Sequence, residues 1–329
     1  MKPAIYVTRK LPPAAMAFLE ENFEMECNPH NRVLSREELL SAVSGKEGIL
    51  SLLTDTMDGE VMDSAGKSLK MIANYAVGFN NIDVSAATKR KISVSNTPGV
   101  LTDTTADLAM ALILAVARRI VESDIYARAE KYMGWDPLLF MGSDVHHKIL
   151  GILGFGRVGQ ALAKRAAGFD MQILYHNRTR VDPEIEEKIG VTYVDRETLL
   201  KTSDYLSIHV PLTPETTGLI DSKALTLMKP SAFVINTARG EIIREAELVK
   251  ALAEKKIAGA GLDVFEHEPK IHPGLLKMEN VVILPHIGSA SMETRTKMGL
   301  MAAENLIAGF KGEVPPNCLN PEIFSYYRS

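Results

Sequence analysis

Cysteine is nearly absent from this chain: Cys27 and Cys318 are the only two in 329 residues, and they lie far apart. That excludes a disulfide framework and a cysteine-based zinc pattern, and it points to a reducing compartment. Long apolar runs are missing as well. The longest, 108–117, ends at Arg118-Arg119 and falls short of the ~20 residues a membrane-spanning helix needs. Neither sign of charge dominates; the formal net charge of −4 leaves no electrostatic footprint for nucleic acid. There is no internal repeat and no low-complexity tract. Met1-Lys2-Pro3-Ala4-Ile5-Tyr6-Val7 reads as a first strand rather than a signal peptide. A cytoplasmic soluble protein with no membrane, nucleic-acid or metal partner is expected, and its length suggests about two domains.

What is present starts with glycine. The apolar run Ile149-Leu150-Gly151-Ile152-Leu153 breaks into Gly154-Phe155-Gly156-Arg157-Val158-Gly159, then into the helix-forming Gln160-Ala161-Leu162-Ala163-Lys164-Arg165. Strand, glycine turn and helix form the context in which Gly-x-Gly-x-x-Gly signals dinucleotide binding. Gly154 permits a sharp turn, Gly156 lets the backbone approach a pyrophosphate, and Gly159 lets helix and strand pack closely. The helix N-terminus offers N–H groups and partial positive charge to the phosphates. A residue reading the adenosine ribose is expected about 20 positions on, after the next strand. Asn177 stands there, followed by Arg178-Thr179-Arg180, where a carboxylate would mark NAD(H). A neutral amide flanked by guanidiniums suits a 2′-phosphate, which arginine matches bidentately. The turn predicts NADP(H) over NAD(H), with Arg178 as the main contact; a solvated basic turn is the plainer alternative. The Asn-x-Thr pattern at 177–179 is accidental in this setting.

Short strands alternate with helical stretches throughout, which predicts an α/β fold of two doubly wound parallel-sheet domains. Strands are expected near 5–7, 49–53, 71–73 and 93–94, then at 149–153, 171–175, 192–194, 205–209, 232–236, 259–263 and 281–284. They are apolar throughout, as strands covered on both faces are. Ser35 with Glu38 predicts a capped helix over 35–43. The glycine motif opens the second series, so a Rossmann-type cofactor domain (102–290) is inserted in a flavodoxin-like substrate domain (1–101 and 291–329). One long helix over 103–127 leads in, another over 291–310 leads out, and the tail with Pro315-Pro316 returns to the first domain. A cleft between the domains, closing to exclude water, is where chemistry is expected.

Three polar groups stand just past strands of the second series: Arg239 in Thr237-Ala238-Arg239-Gly240, Glu268 in Asp263-Val264-Phe265-Glu266-His267-Glu268-Pro269, and His286 in Pro285-His286-Ile287-Gly288-Ser289-Ala290. Alone each is weak, since such an arginine is commonly ion-paired and a lone histidine commonly structural. With the glycine motif, these segments resemble the D-isomer-specific 2-hydroxyacid dehydrogenases, and within them the glyoxylate/hydroxypyruvate reductases. The similarity extends through Asn74-Tyr75-Ala76-Val77-Gly78, Asn96-Thr97-Pro98, Thr105-Ala106-Asp107, Trp135-Asp136-Pro137-Leu138 and Asn177-Arg178-Thr179.

The resemblance implies NADPH-dependent reduction of glyoxylate and hydroxypyruvate to glycolate and D-glycerate, by a homodimer built around the 103–127 region. It implies His286 as proton donor, Glu268 orienting it, and Arg239 binding the substrate carboxylate and polarising the carbonyl. Leu53, Val77, Gly78 and Ser289 would complete the substrate site. Thr105, Gly154 to Gly159 (with Phe155, Arg157 and Val158), Asn177, Arg178, Thr179, Val210, Pro211, Thr216, Thr237, Ala238, Asp263 and Gly288 would contact the cofactor, together with Arg239 and His286. Glu266, His267, His146 and His147 are read as structural. Two departures bear on the substrate: Asn80 where relatives commonly carry Asp, and Leu138-Leu139 where a second aromatic is frequent. A 2-ketogluconate reductase, a phosphoglycerate dehydrogenase and a nucleotide-sensing corepressor remain as alternatives.

Overall fold

Each strand is three to five residues long, and most are apolar stretches. A computed structural model describes residues 1–327. The chain divides into two units, Met1–Leu101 with the segment from Ser289 onward, and Thr102–Gly288. The second boundary lies two residues before the expected 290.

In the first unit the strands are β1 (Ala4–Val7), β2 (Glu24–Cys27), β3 (Gly48–Ser51), β4 (Met71–Asn74) and β5 (Ser93–Ser95). They form one parallel sheet in the order β2-β1-β3-β4-β5, the doubly wound order of flavodoxin-like folds. β2 was not expected. Glu24-Met25-Glu26-Cys27 alternates polar with apolar because it is an edge strand, so it lacks the continuous apolar signature of its neighbours. The helix Arg36–Val43 starts at the expected capping box, with Ser35 and Glu38 bonded reciprocally. The long helix Met292–Phe310 lays Met298, Ala302, Ala303 and Leu306 into the core around β1 and β4. The tail then returns to β5, where the Leu319 N–H meets the Val94 carbonyl at 2.8 Å.

The second unit holds β6 (Ile149–Leu153), β7 (Gln172–His176), β8 (Val191–Tyr193), β9 (Tyr205–Ile208), β10 (Phe233–Asn236), β11 (Gly259–Leu262) and β12 (Val281–Ile283). All are parallel, in the order β12-β11-β10-β9-β6-β7-β8. The order reverses between β6 and β9, so the crevice outside their carboxyl ends is the switch point at which ligands bind in such sheets.

The single helix expected over 103–127 is two helices, Thr102–Ala117 and Ile120–Arg128. Arg119 between them is left-handed, at φ 53°. Ala117 explains the break, because its carbonyl accepts the Ser143 N–H at 2.8 Å instead of continuing the helical ladder. Packing explains it too: the first helix buries Ala106, Ala109, Leu112 and Ile113 on the sheet, whereas the second buries no residue.

Gly240, past β10, touches the chain past β11 so closely that a Cβ there would lie 1.9 Å from the Phe265 carbonyl carbon. Gly240→Ala is expected to destabilise the protein by roughly 1–3 kcal/mol through forced backbone displacement. The check is the urea midpoint at unchanged slope; an unshifted midpoint would show that the two turns part without cost.

Candidate active site

The glycine turn separates the roles of its three glycines. Gly154 is at φ +97°, and a Cβ on it would sit 2.6 Å from the backbone of His209 and Val210, past β9. Gly159 would place a Cβ 2.4 Å from the Gly154 carbonyl, so its lack of a side chain sets how near the helix lies to the strand. Around Gly156, at the N-terminus of the helix Arg157–Ala167, nothing lies within 4 Å. Two glycines are therefore required by packing and the middle one faces open space, the arrangement a pyrophosphate requires. Phe155 turns its side chain into the core and offers backbone alone, while Arg157 and Val158 occupy the first helical turn.

After β7, the Asn177 amide donates to the Thr179 carbonyl at 3.0 Å. Arg178 is exposed, with the charge of Glu215 acting between the two. Arg180, expected as a second flanking cation, instead holds Glu186 through Nε and Nη2 at 2.8 and 2.6 Å. Past β9, the Thr216 hydroxyl donates to the Pro211 carbonyl at 2.7 Å, ordering the loop that also carries Val210.

Arg239, Glu268 and His286 follow the ends of β10, β11 and β12, three neighbouring strands. Asn236 shapes the first turn: its side chain accepts the Ala238 N–H at 3.0 Å and donates to the Arg239 carbonyl at 2.9 Å. Arg239 donates to the Ala238 carbonyl at 2.7 Å. Burial pulls its guanidinium below the ordinary value, against the charges of Glu268 and Glu241. Glu268 accepts the Phe265 N–H at 3.1 Å on one oxygen and meets His286 Nδ1 at 2.8 Å on the other. Burial works to raise the Glu268 carboxyl, but the His286 hydrogen bond and charge, with Phe265 and Arg239, hold it below the usual range.

His286 has a left-handed backbone, φ 55°, uncommon for a residue with a side chain. Asp263 maintains it: the Asp263 carbonyl accepts the His286 N–H at 2.9 Å, and Oδ1 accepts the Ile287 N–H at 2.7 Å. Asp263 is buried and its Oδ2 has no hydrogen-bond partner among the described residues; Thr237 Oγ1, past β10, is in the same position. Orphaned buried polar atoms call for a ligand or water. Two of them at the strand ends, with the open Gly156, fit a nicotinamide dinucleotide. Thr105 donates to the Gly288 carbonyl at 3.2 Å.

Glu266 is turned away toward Glu245, each carboxylate accepting the other residue's N–H at 3.1 and 2.7 Å. His146 and His147 stack edge to face with each other in an exposed turn.

In the first unit, Val77 and Gly78 lie in the bend after β4. Their carbonyl partners are fixed: Thr97 N–H holds the Ala76 carbonyl at 2.9 Å, and the Asn96 amide holds that of Val77 at 2.7 Å. In a trans peptide the N–H points opposite to the carbonyl. The Val77 and Gly78 N–H groups therefore both face away from 96–97, and among the described residues neither meets an acceptor. Asn74 holds the Gly78 carbonyl at 2.9 Å. Leu53 is partly exposed past β3, and Ser289 accepts the Ser291 N–H at 2.9 Å. Asn74, Asn96 and Asn236 received no role from sequence; their signal was a short amide at the end of a buried strand, next to a glycine or proline turn.

Residues 110–288 match the family model for the NAD-binding domain of D-isomer specific 2-hydroxyacid dehydrogenases. A glyoxylate reductase of Thermococcus litoralis is 53% identical over 329 residues, 99% of each chain. One from Korarchaeum cryptofilum is 50% identical over 98% of this chain and 97% of its own. Among solved structures, an NADPH-dependent glyoxylate/hydroxypyruvate reductase from Sinorhizobium meliloti, in complex with NADP and malonate, superposes with a TM-score of 0.84 at 33% identity, over 98% of both chains. Fold and site define a nicotinamide-dependent oxidoreductase. This chain belongs to the D-isomer specific 2-hydroxyacid dehydrogenase family.

The lowered Glu268 carboxyl has a pH consequence. A depressed folded-state value stabilises fully above the ordinary carboxylate range, and the contribution is lost as pH falls through and below it. Glu268→Gln should remove that part of the acid sensitivity, read as urea midpoints between about pH 6 and pH 3. Wild-type and variant curves that run parallel would contradict it.

Proposed function

We propose that this protein is an NADPH-dependent reductase of glyoxylate and hydroxypyruvate, forming glycolate and D-glycerate. The observation that carries this reading is the His286–Glu268 pair at 2.8 Å, beside Arg239 at the end of the neighbouring strand. Reduction of a 2-oxo acid needs a hydride at carbon, a proton on oxygen, and a cation for the carboxylate. The bound cofactor supplies the hydride. His286, with Nδ1 on Glu268, presents Nε2 as proton donor to the oxygen, and Glu268 fixes the orientation of the ring. Arg239 takes the carboxylate and stabilises negative charge developing on the carbonyl oxygen. Within the first unit, the outward N–H groups of Val77 and Gly78 are suited to a small anion. Relatives named glyoxylate reductases, at 45–53% identity over nearly the whole chain, support the choice of substrate. Exposed Arg178, in place of a carboxylate, supports NADP(H) over NAD(H).

A cytoplasmic homodimer completes the reading. Both cysteines are unpaired thiols, and no described helix is long and apolar enough to cross a membrane. Thr102–Ala117 packs Ala106, Ala109, Leu112 and Ile113 into its own unit, and the exposed apolar side chains Ile125, Met133, Trp135, Leu138 and Met141 support a dimer surface further on. An apolar surface of that kind marks a protein contact.

Initial rates with NADPH and NADH, each against glyoxylate, hydroxypyruvate, pyruvate and 2-ketogluconate, test the assignment. NADPH with the two small polar oxo acids should be preferred, and a preference for 2-ketogluconate would move the substrate. His286→Ala should lower kcat by roughly 10²–10⁴-fold, the usual scale of general acid catalysis. Near-normal turnover would remove His286 from that role. Met133→Glu with Trp135→Glu should convert the dimer to monomer by light scattering; an unchanged mass would place the interface elsewhere.

A further inference from the structure

The cation expected beside Arg178 belongs instead to a buried network. Tyr175, in β7, is fully buried, and its ring stacks on Phe155 of the glycine turn with centroids 4.3 Å apart. Its hydroxyl donates to Glu186 Oε1 at 2.5 Å and accepts the Val181 N–H at 3.2 Å. Glu186, buried in the helix Pro183–Ile189, takes the Arg180 guanidinium through both oxygens at 2.8 and 2.6 Å. That guanidinium lies over the Tyr193 ring, 5.7 Å from its centroid. The loop carrying Asn177-Arg178-Thr179 is thus fastened, immediately past Thr179, to side chains rooted in the core. One of those side chains packs on the turn that faces the pyrophosphate site.

We propose that Tyr175, Glu186 and Arg180 form a clamp that sets cofactor selectivity by positioning. They hold the turn so that Arg178 alone meets the 2′-phosphate, and Arg180 serves in the clamp rather than as a second phosphate ligand. The inference rests on the NADP(H) reading above. A bidentate guanidinium–phosphate contact depends on orientation, and ordering a loose loop on binding would cost part of its free energy. A loop already fixed avoids that cost. The Arg180 charge is compensated locally by Glu186, so the cation that remains for an incoming phosphate is Arg178. Hydrogen bonds from Arg180 and Tyr175 hold the Glu186 carboxyl down at about 2, which keeps the clamp ionised at neutral pH.

The experiment measures kcat/KM for NADPH and NADH with glyoxylate, at several salt concentrations, in the wild type, Arg178→Ala, Tyr175→Phe and Glu186→Gln. Loss of a charged hydrogen bond should lower the NADPH/NADH ratio by roughly 10- to 100-fold in Arg178→Ala. It should also flatten the salt dependence of the NADPH KM, because the charge itself has gone. Tyr175→Phe and Glu186→Gln should lower the ratio by about 2- to 10-fold, less than Arg178→Ala because they act through the position of the turn and leave Arg178 in place, and through the NADPH KM. The salt dependence of Tyr175→Phe should stay that of the wild type, since no charge changes. Tyr175→Phe keeps the ring packing, so a loss of ratio at unchanged melting temperature is not misfolding. If Arg178→Ala lowers the ratio and both clamp variants leave it unchanged, the clamp is wrong and the cofactor reading stands. A ratio that rises in Glu186→Gln would make Arg180 a released phosphate ligand and overturn the proposal. If Arg178→Ala leaves the ratio unchanged, the cofactor reading fails and takes the clamp with it.

Discussion

Parallel pairing is the constraint on which the rest depends. Every strand pair in either sheet is parallel, so all carboxyl ends of a sheet open on one edge. Each strand must then release its chain into a turn on that edge before the chain can cross back. In the second unit those turns carry the glycine loop, Arg178, the Val210 loop, Arg239, Asp263 with Glu268, and His286. Chemistry requiring six segments far apart in sequence is assembled by one repeated rule of pairing. The buried amide and acid at the strand ends, Asn236 and Asp263, give the turns fixed shapes by taking up backbone groups the sheet has just released.

What could be read in advance follows from the same rule. Interior parallel strands are covered on both faces and appear as continuous apolar runs, so β1, β3, β4, β6, β7, β9, β10 and β11 were legible; the edge strands β5, β8 and β12 were expected as well. β2 was not, because an edge strand buries only part of its surface and Glu24 and Glu26 mask it. The break at Arg119 was also hidden. No proline or glycine marks it; it is imposed by Ser143, a residue distant in sequence that captures the Ala117 carbonyl. Local propensity cannot report a tertiary competitor for a backbone group.

The site divides in the same way. Arg239, Glu268 and His286 were legible because each stands just past a strand, and the resemblance to known dehydrogenases gave them roles. The supporting shell was not. Arg178 was expected as the main contact, but nothing in Arg178-Thr179-Arg180 gives Arg180 a separate task until Glu186, on the following helix, is seen to hold it. Asn96 likewise acts through the Val77 carbonyl, a contact that only the fold creates. Sequence shows residues whose chemistry is unusual, whereas those that only orient a neighbour have ordinary chemistry and an unusual place.

Glu268 and Asp263 show how one strand end can give two carboxylates different tasks. Asp263 is buried and Glu268 is partly exposed, and desolvation alone would raise both. Glu268 is nevertheless held low, because it faces the His286 ring and receives the Phe265 N–H. Asp263 is pushed up, with burial prevailing over the Ile287 N–H and the charge of His286. Environments that drive two neighbouring acids apart in this way mark a division of labour. The ionised one meets the imidazole Nδ1 at 2.8 Å and orients the ring. The other binds two backbone N–H groups of the His286 turn, one through its carbonyl and one through Oδ1. Those bonds maintain a left-handed backbone at His286 that the chain would otherwise avoid. Losing Asp263 would therefore displace the histidine that Glu268 is placed to meet, so the two acids are coupled through the backbone between them and not through their charges alone.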